Sequence, residues 1–207
     1  MCGVFLGAGL LHMLSESSQT FTDLGYHYPI AFFIAGITFL VFLLFEHIGR
    51  TFYQHKQDTH PSFALIATLM LSVHSFLEGA AIGVSETYSI FLLIFLAVFA
   101  HKWADGLALS LHITRSTLSS SLGLTYFGIF TCMTPLGIFM GAASLNGLTP
   151  HPLFEPIFEA LASGTFLYLG TLHGLEQAVM VKQCCDLKNF SYVILGFSIM
   201  ACVALLG

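Results

Sequence analysis

The sequence predicts an all-α integral membrane protein, a helical bundle of seven spans. Three observations carry this expectation. The mean hydropathy is +0.85. Only 8% of the residues are charged, against roughly 25% in a soluble globular domain. Apolar stretches of about 20 residues, the length needed to cross a bilayer, alternate with short segments rich in turn residues. The 207 residues therefore make a single polytopic transmembrane domain, 1–207, with no room for a soluble one.

Spans are expected at 2–19, 30–50, 62–84, 88–112, 122–145, 156–181 and 190–207. The first stretch, Met1 to Leu14, has no basic n-region and runs on to His12 and Glu16, so it is not a clipped signal peptide. Turns fall at Asp23-Leu24-Gly25, Asn146-Gly147, Pro150 and Pro152. Arg50 and Lys56 follow the second span, Arg115 the fourth, and Lys182 and Lys188 the sixth, whereas the opposite connections hold no Lys or Arg. Those basic loops are expected on the cytoplasmic side, which puts the N-terminus there too.

Span one carries Gly3, Gly7 and Gly9, a small-residue face for close helix contact. It also carries His12 and Glu16, one helical turn apart: either a metal-collecting mouth or two polar residues in the headgroup zone. Span two is rich in Phe and reads as a lipid-facing support. The 46–61 segment reads as a cytoplasmic loop with His47, His55 and His60, a weak metal binder or a solvated connector. In span five Pro135 is expected to kink the helix. In span six Pro156 fits a first turn, and His173 and Glu176 share a face near the cytoplasmic end. They could release metal inward or sit at a wet helix end. The last span, Phe190 to Leu206, has no ionisable side chain and reads as packing.

Spans three and four hold the chemistry. His74-Ser75-Phe76-Leu77-Glu78-Gly79-Ala80-Ala81-Ile82-Gly83 and His101-Lys102-Trp103-Ala104-Asp105-Gly106-Leu107-Ala108-Leu109-Ser110 both read His-x-x-x-acid-Gly-x-Ala. Positions i and i+4 share a helix face, so each copy aims an imidazole and a carboxylate at one point. Two nitrogens and two carboxylates suit a borderline dication such as Zn²⁺. An isolated intramembrane histidine is more often a helix–helix contact. Two such copies are harder to explain that way, because burying Glu78 and Asp105 ionised is expensive. Gly79, Gly106, Ala81 and Ala108 are expected to let these two helices approach. His112 marks a possible exit at the cytoplasmic end of span four. Lys102 precedes Asp105 by three positions and can reach the same carboxylate. A fixed ammonium there would stand where a second ion would otherwise sit.

Other classes are disfavoured. A net charge of −5 with six Lys+Arg argues against nucleic-acid binding. Five scattered cysteines without a C-x-x-C spacing give neither a disulfide framework nor a thiolate zinc site. Cys184-Cys185, beside a basic loop, could be acylated or bind metal, though adjacent loop cysteines more often do neither. An intramembrane metalloenzyme would need a free general base and an open ligand position. No His-Glu-x-x-His is present and each acid near the site is wanted as a ligand, so the chain is not expected to be an enzyme.

These motifs resemble the ZIP (Zrt/Irt-like) family of divalent-metal transporters. The resemblance rests on His74-Ser75 with Glu78-Gly79 and Ala81-Ile82-Gly83, and on His101-Lys102. Thr134-Pro135-Leu136-Gly137-Ile138, Ala162-Ser163-Gly164-Thr165-Phe166-Leu167-Tyr168, and Gly3-Val4-Phe5-Leu6 with His12 and Glu16 support it. It implies an eight-helix fold with inverted repeats, of which this chain supplies seven, without the helix that precedes Gly3 in relatives. It also implies that His74, Glu78, His101 and Asp105 are ligands or near-ligands, and that His12 and Glu16 form an outer vestibule. His173 stands where relatives often have an acid. Ser75 and Lys102 are similar to the subfamily with one principal metal site, in which they would be a second shell or charge substitute. The implied activity is movement of Zn²⁺, or of Fe²⁺, Mn²⁺ or Cd²⁺, towards the cytoplasm across a cell membrane. No prosthetic group is implied, and dimers are common among relatives. A truncated, non-transporting member is the remaining alternative.

Overall fold

The computed structural model describes residues 2–52, 61–85, 88–144, 152–173 and 187–205. Within them the chain forms seven helical bodies. α1 comprises Cys2–Gly7, a π-helical stretch Ala8–Met13, and Leu14–Asp23. α2 is Ile30–Phe52, α3 Pro61–Val84, α4 Tyr88–Arg115 and α5 Ser120–Ser144. α6 is Phe154–Tyr168, continued by a π-turn Leu169–His173, and α7 is Leu187–Ala204.

The turn expected at Asp23-Leu24-Gly25 closes α1 in a Schellman arrangement. Tyr26 N–H donates to Phe21 O at 3.0 Å and Gly25 N–H to Thr22 O at 2.9 Å. Gly25 takes the left-handed conformation this requires, with φ of 86°. Pro135 lies inside α5, which runs on through it from Ser120 to Ser144. Of the segment expected as a 46–61 loop, residues 46–52 are helical, because α2 continues to Phe52. Polarity signalled a loop at Glu46, but its carboxylate is buried and accepts a hydrogen bond from the Tyr168 hydroxyl of α6. That partner meets the cost of burying the acid, so the helix has no reason to end there. Span two is thus not wholly a lipid-facing support. His55 and His60 lie outside the described residues.

Four of the described helices contain stretches long and apolar enough to cross a membrane: Ile30–Ile48, Ala64–Val84, Ile94–Arg115 and Ser120–Ser144. α1, α6 and α7 do not meet that test in their described residues. In α6 most of the polar residues that lower the hydropathy point inward, and in α1 Ser17 does so while Ser15, Gln19, Thr22 and Asp23 are exposed. Ser17, Glu159, Ser163 and Thr165 are all buried. Ser17 Oγ donates to Pro156 O at 2.6 Å, and Ser163 Oγ to Gly9 O at 3.0 Å, tying α1 to α6.

Contacts at small residues fix which helices run parallel. Gly3 and Gly7 of α1 face Val193, Phe197 and Met200 of α7 in the same order along both helices, so α1 and α7 are parallel. Gly79 meets Thr134 and Gly137, and Gly83 meets Ile138 and Gly141, making α3 and α5 parallel as well. Between α1 and α6 the order reverses, with Ser17 near Pro156 and Gly9 near Ser163. This is the alternation expected of a chain that crosses the bilayer once per helix.

α3 packs most extensively on α5, and α2 on α6. α1 lies against both α7 and α6, and α3 also meets α6 and α4. The bundle thus comprises one group of α3, α4 and α5 and another of α1, α2, α6 and α7, joined chiefly through α3 and α6. The glycines therefore do a different job from the one expected. Gly79 abuts α5 rather than α4, and Gly106 has no neighbour nearer than the Phe127 ring tip, at 3.9 Å from an added Cβ. The α3–α5 crossing is a doubled small-xxx-small contact, Gly79 and Gly83 against Gly137 and Gly141, in which an added Cβ would overlap opposing backbone. Gly79→Ala and Gly137→Ala should each lower the unfolding free energy in detergent by about 1–3 kcal/mol, the usual cost of overpacking. Gly36→Ala, with open space around it, should be neutral or slightly stabilising.

Candidate metal centre

The twin motifs meet in the core. His74, Ser75, Glu78, His101 and Asp105 are all buried, none exposing more than 1% of its surface. The helical spacing explains their convergence: His74 and Glu78 are one turn apart on α3, as are His101 and Asp105 on α4, and both pairs face inward. One ligand atom from each of His74, Glu78, His101 and Asp105 lies within 4.8 Å of the other three, and among the described residues these four alone form such a group.

Glu78 is the hub. Its Oε1 faces His74 Nε2 at 2.8 Å and is hydrogen-bonded to His101 Nε2. Its other oxygen, Oε2, accepts from Lys102 Nζ at 2.9 Å. Lys102 also donates to Ser75 Oγ at 2.8 Å and sits 3.6 Å from Asp105 Oδ2. The last distance is an electrostatic attraction rather than a hydrogen bond. The ammonium lies 5.3 Å from the centroid of the Phe130 ring, a cation–π approach. Lys102 therefore turns inward to the carboxylates and does not snorkel to the surface.

Three buried atoms at this junction have no hydrogen-bond partner: both carboxylate oxygens of Asp105 and Nδ1 of His101. Buried polar atoms are nearly always satisfied, so this concentration of free donor capacity at one point is a chemical signature. Imidazole nitrogens and carboxylate oxygens bind Zn²⁺ at about 2.0–2.2 Å, and the four residues could hold one such cation.

α6 supplies a part that sequence reasoning missed. Phe166 lays its ring over the His74 imidazole, with centroids 3.8 Å apart, and turns its edge toward His101 at 4.8 Å. Phe5 of α1 stacks behind it at 5.2 Å. Thr165 Oγ1 is hydrogen-bonded to His74 Nδ1. Both residues lie in a motif used above only for resemblance, and no spacing rule links α6 to α3. Glu159 was also missed, although a carboxylate in an apolar span is itself a functional signal. It is buried on α6, within electrostatic range of Glu16 and Glu155.

The remaining candidates lie apart from this cluster. His12 Nδ1 and Glu16 Oε1 lie 2.8 Å apart, with the His12 side chain 7% and that of Glu16 29% exposed. They are not among the residues lining a groove of about 400 Å³ beside α1, which include Leu10, Leu14, Gln19, Thr22, Asp23 and Phe32. His112 lies in the last part of α4, half-buried, outside the four-residue group. His173 ends the π-turn of α6, and Glu176 lies outside the described residues.

The family model described as ZIP Zinc transporter matches residues 58–204, the segment that contains all four converging side chains. The chain belongs to the ZIP zinc transporter family. Among curated relatives, Zinc transporter ZIP1 of Takifugu rubripes is 32% identical over 165 residues, 78% of this chain and 52% of that protein. Zinc transporter ZIP1 of Mus musculus is 26% identical over 96% of this chain and 74% of its own length. Zinc transporter ZIP2 of Homo sapiens is 27% identical over 98% and 82% respectively. The chain spans about half the length of the Takifugu relative and of ZIP1 from Danio rerio. A multi-pass membrane protein of the ZIP family accounts for the apolar helices and for the buried His/carboxylate cluster together.

The hub makes a stability prediction. Glu78→Gln removes the nearest counter-charge of Lys102. It should cost about 2–3 kcal/mol, somewhat below the loss from breaking a fully buried pair because Lys102 is 26% exposed. Asp105→Asn, at the longer distance, should cost less than half as much. Denaturant titration in detergent micelles compares the two.

Proposed function

We propose that the chain moves Zn²⁺ across a membrane towards the cytoplasm, with His74, Glu78, His101 and Asp105 as the ligands of a single ion. The observation that carries this is the convergence of two imidazoles and two carboxylates within 4.8 Å in a buried site, in a chain of the ZIP family. Relatives named as zinc transporters support zinc as the substrate. Fe²⁺, Mn²⁺ and Cd²⁺ are further candidates for the same donor set. With no thiolate in the group, the ligands are of intermediate strength, which suits an ion that must leave again.

Charge decides for one ion rather than two. Glu78 and Asp105 contribute −2 and Lys102 +1, so one dication brings the site to +1 and a second would bring it to +3. In a buried setting that excess is expensive. Lys102 and Ser75 act as the charge substitute and its anchor. His12 and Glu16 serve as an outer collecting pair. His112, His173 and Glu176 lead to the cytoplasmic exit. The part of the 46–61 segment that follows α2 faces the cytoplasm, the domain is single over 1–207, and the bilayer is that of the cell surface. Association as a homodimer fits the same reading.

Radiolabelled zinc uptake into vesicles tests the proposal. His74→Ala and Glu78→Ala should each reduce initial uptake at least tenfold, and hydrolytic activity without uptake would sink it. Lys102→Ala should raise the zinc bound per chain above one when zinc is in excess, measured by equilibrium dialysis. An unchanged stoichiometry would show that Lys102 does not occupy the place of a second ion.

A further inference from the structure

Glu159 is the buried acid that the metal centre leaves unused. It keeps only 7% of its surface exposed, and among the described residues it makes no hydrogen bond or ion pair. Buried polar groups nearly always have such a partner. A carboxyl kept without one on a membrane helix is kept for what it does, since it costs stability where it stands.

α6 turns two faces to its neighbours, and spacing decides which one holds Glu159. Gly164 meets Ala35 and Thr38 of α2. Pro156 and Ser163 instead meet Ser17 and Gly9 of α1, through hydrogen bonds of 2.6 and 3.0 Å. Glu159 lies three residues after Pro156 and four before Ser163, so it shares their face, toward α1. The two helices are antiparallel, and the stretch of α1 opposite it runs between Gly9 and Ser17. That stretch holds His12 and Glu16, whose Nδ1 and Oε1 are 2.8 Å apart. The electrostatic neighbours of Glu159 agree with this placement, Glu16 first and Glu155 second. The connecting segments at this end of the bundle, 20–29, 85–87 and 146–155, contain Asp23, Glu86 and Glu155 but no Lys or Arg. An unbalanced acidic end of this kind concentrates cations.

The spacing also says in what form a cation is held. Among the described residues only the four inner side chains bring ligand atoms within 4.8 Å of one another, so Glu159 stands further than that from His12, from Glu16 or from both. Two direct ligands of Zn²⁺ are at most about 4.4 Å apart. A water between ion and carboxylate adds about 2.7 Å, which covers the wider span.

We propose that Glu159 joins His12 and Glu16 in a second cation station between α1 and α6, which takes a divalent cation that still carries part of its water. The station rests on the reading of His12 and Glu16 as a collecting pair, and adds to it a third carboxylate-bearing helix position that the pair alone does not supply.

The test uses the full chain in lipid nanodiscs, as wild type, Glu159→Gln and Glu159→Asp. Zn²⁺ titration by equilibrium dialysis should show in the wild type one tight and one weaker class of bound ion. Glu159→Gln should leave the tight class unchanged and weaken the other about tenfold or more, the usual loss when a supporting ligand group goes, whereas Glu159→Asp should stay within about threefold of the wild type. In vesicle uptake Glu159→Gln should raise the half-saturating zinc concentration severalfold with the maximal rate within twofold. A purely structural acid would behave differently: its replacement by Gln would lower the denaturant midpoint, whereas here the midpoint should hold or rise. A His74→Ala/His101→Ala chain loaded with Mn²⁺ in deuterated water should show coordinated water by pulsed EPR. The proposal is overturned by a wild type without a second class, by a second class indifferent to Glu159→Gln, by a lowered midpoint, or by a station ion with no water. A wild type that lacks the tight class but keeps a Glu159-dependent weaker one overturns the inner-centre reading and supports this one.

Discussion

The Glu78 carboxylate is the constraint on which the rest of the site depends. An ionised acid with none of its surface exposed costs several kcal/mol unless other groups compensate it, and here the compensation comes from three directions. Lys102 brings a positive charge to one oxygen, and two imidazoles converge on the other. Each of those partners is then held by something else: Lys102 by Ser75, His74 by Thr165 and Phe166. The donor set is thus a nested arrangement in which satisfying one buried charge determines the placing of the next group out.

The same logic explains the bundle's uneven polarity. α2, α3, α4 and α5 contain the long apolar stretches, and side chains such as Leu40, Phe99, Leu124 and Phe139 are exposed on α2, α4 and α5 as a lipid-facing surface requires. α6 instead buries Glu159, Ser163 and Thr165, and its Ser163 and Thr165 hydroxyls bond to neighbours within the protein. A helix that serves the interior of a membrane protein needs less hydrophobicity than one that serves its boundary.

Much of the centre was legible in the sequence because it follows local periodicity. An imidazole and an acid four residues apart must share a face, and the repeat of that pattern in the next span specified a common focus. Lys102 was legible for the same reason, three residues from Asp105. What periodicity cannot express is contact between distant segments. Thr165 is 91 residues from His74, and Tyr168 is 122 residues from Glu46. Glu46 was misjudged as the start of a loop because polarity was read without the partner that neutralises its cost. Gly79 was recognised as a site of close approach but assigned to the wrong neighbour, since a glycine announces that a backbone comes near without saying which.

The Gly79–Gly83 and Gly137–Gly141 contact has a mechanical consequence. With no side chains between them, α3 and α5 mesh like notched rods. A small slip along the axis would drive each notch against a tooth, and the next stable engagement lies four residues, about 6 Å, further on. Gradual creep is therefore forbidden to this pair, and the imidazole and carboxylate on α3 travel, if they travel at all, with α5 as a single rigid carriage.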